Sequence, residues 1–442
     1  MARQWGEAAP VRPGAEGTAR PAVPYEANPP YEANPPREDG PAHEPGSAHG
    51  PSPDRETGPR HDAGPAHRRQ TPARRRGPRT VLAVYGITTA VHLLALGLLS
   101  TPGGAGIKDR LLAWDALLYL SITTEGYPDG LTYDDSGRPT GNNLAFFPVF
   151  PLLTRGLYRV TGLEPGTAAL VVAHLSLLVA LLLVHRLLER IFDTRTATIG
   201  IVLLAGAQPM AVTFLMGYAE STFLALAAGS LLAAHHRAWL LAGVLALLTG
   251  LTRPAALAVV VALGVAVLVE LWRAGGPRWR PIAGLVLGAL GTPAYLVWVG
   301  VRSGQYDAYF VIQQAGWGTS WDNGAAFADF VRETLLRGDG WVPVSTAVLL
   351  LAIICATAVA WRRDAWPPLL VYGTVMLLVT LGQSNYYHSK LRLLIPALIF
   401  LVPLARGLAK AHPRTVVISL AAATVFGSWY GAHMLTTWRY AI

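Results

Sequence analysis

The sequence is poor in charge and nearly empty of cysteine. Only 14% of its 442 residues are charged and 52% are hydrophobic; soluble domains carry about 25% charged residues, so an ordinary water-soluble fold is excluded. The single cysteine, Cys355, rules out an intrachain disulfide and lies in an apolar run, where it reads as a small core residue. No convincing strand is present, and so no Gly-rich phosphate fingerprint follows one, as nucleotide binding would require. The 12 histidines include an adjacent pair, His235 and His236, and no Cys or His spacing resembles a closed zinc site. The acids of one long loop leave a divalent cation open as hard-oxygen chemistry, and no cofactor is assigned. The N-terminus lacks the order of basic start, apolar stretch and small-residue cleavage site that marks a signal peptide.

What the chain has instead is a succession of long apolar runs, at about 81–100, 166–186, 197–214, 219–235, 238–252, 254–272, 282–301, 343–361, 366–382, 391–406 and 415–435. Roughly 17–25 apolar residues cross a bilayer core of about 30 Å as a helix, and helices satisfy their own backbone hydrogen bonds there. The predicted fold is an all-α polytopic membrane protein with about eleven transmembrane helices. Residues 1–78 differ: they are rich in Pro, Gly and Arg, with the tandem repeat Tyr25–Pro30 and Tyr31–Pro36. They cannot bury enough apolar surface to offset ordering entropy, and read as a disordered cytoplasmic tail before a membrane domain at 79–442.

Charge sets the expected orientation. Arg74, Arg75, Arg76 and Arg79 abut the first run, and alternate loops carry Arg186, Arg190 and Arg195, then Arg237, then Arg273, Arg278 and Arg280, then Arg362 and Arg363, then Arg406, Lys410 and Arg414. Basic loops face the cytoplasm, which makes the chain an integral plasma-membrane protein with a cytoplasmic N-terminus. The juxtamembrane basic tract suits anionic lipid; nucleic acid is not an expected partner.

The two longest loops, about 101–165 and 302–342, then fall on the extracytoplasmic side. The first carries Trp114, Asp115, Tyr119, Glu125 and Tyr127; shorter outer turns add Tyr218, Glu220 and Arg253, and the run Gln383–Arg392 holds Tyr387, His388, Lys390 and Arg392. An ionised group at a membrane edge costs roughly 2.5–3.5 kcal/mol on insertion scales, so such residues are functional candidates. Long loops rich in Trp, Tyr and Phe are more often functional than disordered.

Trp114-Asp115 with Tyr119-Leu120, then Gly126-Tyr127, then Ala145-Phe146-Phe147-Pro148 with Pro151 resembles the first outer loop of the PIG-V-like mannosyltransferases, relatives of the enzyme that adds the second mannose to GPI anchors, within the GT-C glycosyltransferase superfamily. Gly217–Phe223 and Thr252-Arg253-Pro254 are similar to the family as well. Ala116 stands where the family usually has Gly, and the stretch from Pro128 to Asn143 is a long acidic insert. The resemblance implies a GT-C-like fold and transfer of mannose or a similar hexose from a polyprenyl-phosphate donor to a hydroxyl of a glycolipid, wall glycan or protein, on the outer face. Membrane lipid is the other expected partner.

Inverting sugar transfer needs a base for the acceptor hydroxyl, help for the leaving phosphate and a surface to hold the sugar. Asp115 is the candidate base, or the N-cap of a juxtamembrane helix over 116–123, or both. Glu220 is a second candidate catalytic acid, at a helix start where the dipole also favours it. His388 is a candidate proton carrier or an interfacial ring. Arg253, Lys390 and Arg392 are candidate phosphate ligands, or side chains reaching to lipid headgroups. Trp114, Tyr119, Glu125, Tyr127, Tyr218 and Tyr387 are candidate substrate contacts. Phe146, Phe147, Pro148 and Pro151 are expected to shape a segment lying on the lipid surface. The rival readings are a transporter or lipid flippase, for which repeat symmetry and midplane polar groups are wanting, and a GT-C transferase for another sugar.

Overall fold

A computed structural model describes residues 76–101, 103–338, 340–362 and 365–438. The expected tail lies outside the described residues, except that its last three, 76–78, begin the first helix. Helix α1 runs Arg76–Leu99. The connection to the next long helix carries elements of its own: α2 (Ile107–Leu111), α3 (Asp115–Thr124), the two-residue strands β1 (Thr132–Tyr133) and β2 (Pro139–Thr140), a 3-10 turn at Asn143–Ala145, and amphipathic α4 (Val149–Thr161). The strands pair antiparallel, Thr132 opposite Thr140, and lie inside the acidic insert. Helix α4 stops at Gly162, whose φ of 71° is the left-handed cap glycine adopts without strain.

Helix α5 (Pro165–Ile191) starts on two signals: Pro165 at its first turn, and Glu164, whose carboxylate accepts from the backbone N–H groups of Gly166 and Thr167. Asp193 likewise caps α6 (Thr194–Val202). That helix runs into a π-turn, Leu203–Ala207, and a 3-10 turn, Ala211–Leu215. His92 of α1 donates from Nε2 to the Ala205 carbonyl at 2.9 Å, meeting a polar group inside the π-turn from outside its own helix. The chain continues through α7 (Glu220–His235), α8 (Trp239–Gly250), a 3-10 turn at Pro254–Ala256, α9 (Leu257–Ala274), α10 (Trp279–Ala289), α11 (Gly291–Ser303), α12 (Ala308–Trp317), α13 (Ala325–Arg337), α14 (Trp341–Trp361), α15 (Pro367–Leu381), α16 (Tyr387–Leu394), α17 (Leu401–Ala409) and α18 (Pro413–Thr436).

All eleven apolar runs are built largely from helical turns. Among the described residues, six helices are long and apolar enough to cross a membrane: Gly77–Leu99, Pro165–Ile191, Pro254–Ala274, Trp279–Ser303, Trp341–Trp361 and Pro413–Thr436, with a seventh if the pair α16–α17, bent by 55°, is one span. The remaining runs are shorter than hydropathy suggests. Helix α8 stops after 12 residues, about 18 Å at 1.5 Å per residue, against a core of about 30 Å. Apolar composition continues through its end; the helix does not, because Thr252-Arg253-Pro254 turns the chain and fixes Pro254 at the start of the next.

Small residues let these short helices pack closely. A side chain added at Gly243 of α8 would run into the Gly284 backbone of α10, and one at Gly284 into Trp239. Such backbone contact is how helices associate in lipid, where apolar side chains gain little from mutual burial. A separate aromatic cluster, with Phe147, Phe150, Tyr295, Tyr309 and Ile312 buried in it, joins the first connection to α11 and α12. The candidate site lies beside it.

Candidate active site

Asp115 is the first residue of α3, and its direction is set by the residue before it. Trp114 has φ 53° and ψ −117°, the geometry of the first central position of a type II′ turn, which normally takes glycine. The turn is closed by the Ala116 N–H donating to the Ala113 carbonyl at 3.3 Å. Holding a tryptophan there costs of order 1–3 kcal/mol, and such strain persists only where surroundings enforce it. Tyr218 is one enforcer: its hydroxyl donates to the Ala113 carbonyl at 3.2 Å, while the Gly217 N–H donates to the Leu111 carbonyl at 3.0 Å. A Cβ at Gly217 would press on the end of the Leu112 side chain, so glycine lets the two segments meet without moving it.

Two acids and two arginines from four separate segments close into a chain of charge. Arg392 Nη1 bonds Asp115 Oδ2 at 2.7 Å. Arg392 Nε lies 3.8 Å from Glu220 Oε1, and Arg253 Nη1 lies 2.7 Å from the same oxygen. The four side chains are 4–16% exposed. The contacts to Glu220 are ion pairs without hydrogen-bond alignment, so Arg253 Nη1 and Arg392 Nε are buried N–H donors with no hydrogen-bond partner. The Arg392 guanidinium also sits 5.1 Å over the Tyr218 ring, a cation–π contact that steadies it. Asp115 caps nothing: Trp114 occupies the N-cap position.

These four groups line one wall of a cavity of about 370 Å³. Tyr119, one turn after Asp115, lines it too; burial first, and then the Glu220 carboxylate, push its phenol well up, so it stays protonated. The rest of the lining is largely neutral and aromatic, with Phe146, Tyr309, Gln313, Trp317, Trp321, Gln383, Asn385 and Tyr386. The segment around Phe146 is pinned from behind, since Tyr127 and Tyr295 both donate to the Phe146 carbonyl at 2.8 Å.

The structure thus brings Asp115, Tyr119, Glu220, Arg253 and Arg392 together at the cavity. Tyr218 and Trp114 stand behind it as supports, and Tyr127 supports its floor. The others lie elsewhere. Glu125 is exposed beyond the far end of α3, about 15 Å along the helix from Asp115, and accepts from Ser121 at 3.1 Å. Tyr387 stacks on Phe330 at 4.5 Å, and His388 is packed against Tyr386, Tyr387 and Trp438; neither lines the cavity. Lys390 does not line it either, because its ammonium is engaged by the Thr380 and Gln383 carbonyls and by Asn385. Among the described residues no group of three or more His, Cys, Asp and Glu is placed to hold a metal ion.

Several cavity residues escape a reading of the sequence, Tyr309 and Gln313 among them. The signal was available: Tyr309, Gln313 and Trp317 are spaced by four, which aligns them on one face of α12. Phe146 and Phe147, expected as lipid-surface architecture, are cavity wall as well.

No protein-family model matches the chain, and no curated protein matches it. Solved structures that do match include ArnT from Cupriavidus metallidurans bound to undecaprenyl phosphate (18% identity, TM-score 0.47, 77% of this chain and 63% of that one) and the same protein in the apo state (15%, 0.47, 80% and 77%). Another is the archaeal oligosaccharyltransferase AglB from Archaeoglobus fulgidus in complex with an inhibitory peptide and a dolichol-phosphate (12%, 0.44, 80% and 55%). The chain spans less than two thirds of the first and third of these.

Proposed function

We propose that the protein transfers a hexose, mannose by its sequence resemblance, from a polyprenyl-phosphate-linked donor to an acceptor hydroxyl on the extracytoplasmic face, with inversion and with Asp115 as general base. The observation that carries this reading is the enclosed set of two arginines, Arg253 and Arg392, with two carboxylates, Asp115 and Glu220, all four lining one cavity. Guanidinium forks match phosphate oxygens, and a lipid-linked donor can bring its phosphate to such a wall while its tail stays among apolar helices. The orientation rests on the basic loops at the opposite helix ends.

In this mechanism the acceptor hydroxyl gives its proton to Asp115 as its oxygen bonds the anomeric carbon. The bond from that carbon to the phosphate oxygen breaks with its electron pair, and the departing polyprenyl phosphate gains negative charge beside Arg253 and Arg392. Donors already in place where charge develops need no reorganisation at the moment of reaction. Glu220, shared by both arginines, holds them in position. The aromatic wall offers ring faces to the sugar. The acceptor belongs to one of the three hydroxyl classes above, a glycolipid, a wall glycan or a protein.

The test is a donor panel: purified protein in nanodiscs, an endogenous membrane extract as acceptor, and polyprenyl phosphates carrying labelled mannose, glucose, galactose or arabinose. Label transferred from mannose alone supports the full proposal. Transfer from another sugar keeps the mechanism and replaces the hexose, and no transfer by a folded protein from any of them would favour a transporter.

A further inference from the structure

Lys390 is 1% exposed, and its three N–H donors meet three oxygens: the carbonyls of Thr380 at 3.1 Å and Gln383 at 2.7 Å, and Oδ1 of Asn385 at 2.7 Å. An ammonium only donates, so the atom of Asn385 that faces it is the carbonyl oxygen. The orientation of an amide is ordinarily ambiguous; here the lysine decides it. The NH2 group of Asn385 is turned away from Lys390, and Asn385 lines the same cavity as Arg392 and Gln383. The segment before Asn385 is a rigid support: the Ser384 N–H donates to the Ser320 carbonyl at 2.8 Å, and the Asp322 N–H to the Gly382 carbonyl at 3.1 Å.

We propose that Asn385 is a further phosphate-binding donor of the site, and that Lys390 is the positioning residue that fixes its amide with the NH2 group toward the ligand. This rests on the lipid-donor reading above and sharpens it. Lys390 serves the phosphate through the asparagine, while its own charge stays buried against the Thr380, Gln383 and Asn385 oxygens. A charge that polarises the amide carbonyl also strengthens the N–H donors at the other end of the group.

The substitution that separates this role from plain loop support is Asn385→Asp. It keeps an oxygen for Lys390, so the loop stays tied, but presents a carboxylate oxygen to the phosphate. Binding of tritiated polyprenyl phosphate to the full chain in nanodiscs is the measurement. The expected result is affinity lower by about tenfold or more, the size of a lost charge-assisted hydrogen bond, at an unchanged unfolding temperature. Affinity within about twofold of wild type overturns the inference. Lys390→Met provides an independent arm: it weakens binding when Asn385 is present and has no further effect in an Asn385→Ala background, whereas a general structural role weakens both equally. Absence of polyprenyl phosphate binding by the wild type removes the lipid-donor reading, and this inference with it.

Discussion

Among the described residues two clusters of acids with arginines stand out, and they differ in who is exposed. At one, Asp115, Glu220, Arg253 and Arg392 are all enclosed. At the other, the carboxylate of Glu270 on α9 is buried, but its partners Arg237 and Arg278, at 3.4 and 3.6 Å, are 63% and 59% exposed. The Glu270 cluster ties the turn after α7 to the segment before α10, with its cations in contact with solvent, where screening leaves each pair worth about 0–1 kcal/mol. In the enclosed cluster every charge depends on the others. One joins elements near solvent; the other lines the cavity proposed to take the donor phosphate.

Glu220→Gln should produce the largest effect. It removes the anion shared by Arg253 and Arg392, and breaking a buried pair costs about 3–5 kcal/mol, so both transfer and thermal stability in detergent should fall steeply. A variant that stays stable and active would show the two clusters to be alike. Arg253→Ala should act mainly on donor use: a higher KM for the polyprenyl-phosphate sugar, with acceptor KM little changed. Equal effects on both substrates would place Arg253 outside phosphate binding. Glu270→Gln should change stability by only about 1 kcal/mol and leave transfer intact, measured by unfolding and turnover together.

The smallest expected effect lies at the start of α5. Hydrogen bonds from Lys108 and then from the Gly166 N–H hold the Glu164 carboxylate down to about 2, against an ordinary 4.5. Its folded value is lowered, so its contribution is complete above about 4.5 and is lost as pH falls from there through about 2. Lys108→Met should therefore lower the unfolding temperature slightly near neutrality, where the pair contributes fully but little because both side chains are more than half exposed, and the difference from wild type should vanish as pH falls through about 2.

How far the sequence discloses this arrangement differs between its parts. Asp115, Glu220 and Arg253 could be found because each is a charge at the edge of an apolar run, where burial is costly enough to need a reason. The neutral wall could not be found that way. Gln313 and Asn385 carry no charge, and nothing in their immediate neighbours separates them from ordinary loop amides; their significance comes from α12 and the 383–392 run meeting across the cavity. Lys390 and Arg392 show the same limit within one run. Two residues apart on one short helix, they look equivalent as cations, yet one faces the cavity and the other the backbone of residues 380–383. Hydropathy located the apolar runs, including the break at Thr252-Arg253-Pro254, but overstated how many are single long helices, because it counts side chains and does not register where the π-turn at Leu203–Ala207 interrupts the backbone.

The central claim is that Asp115 takes the acceptor proton. Its most direct test compares wild type with Asp115→Asn, matched for folding in nanodiscs, in transfer of labelled mannose from polyprenyl phosphate to a membrane extract. The account predicts a loss of about 10²–10⁴-fold, the usual worth of a general base, with polyprenyl phosphate binding retained. Turnover close to wild type in the asparagine variant would contradict it.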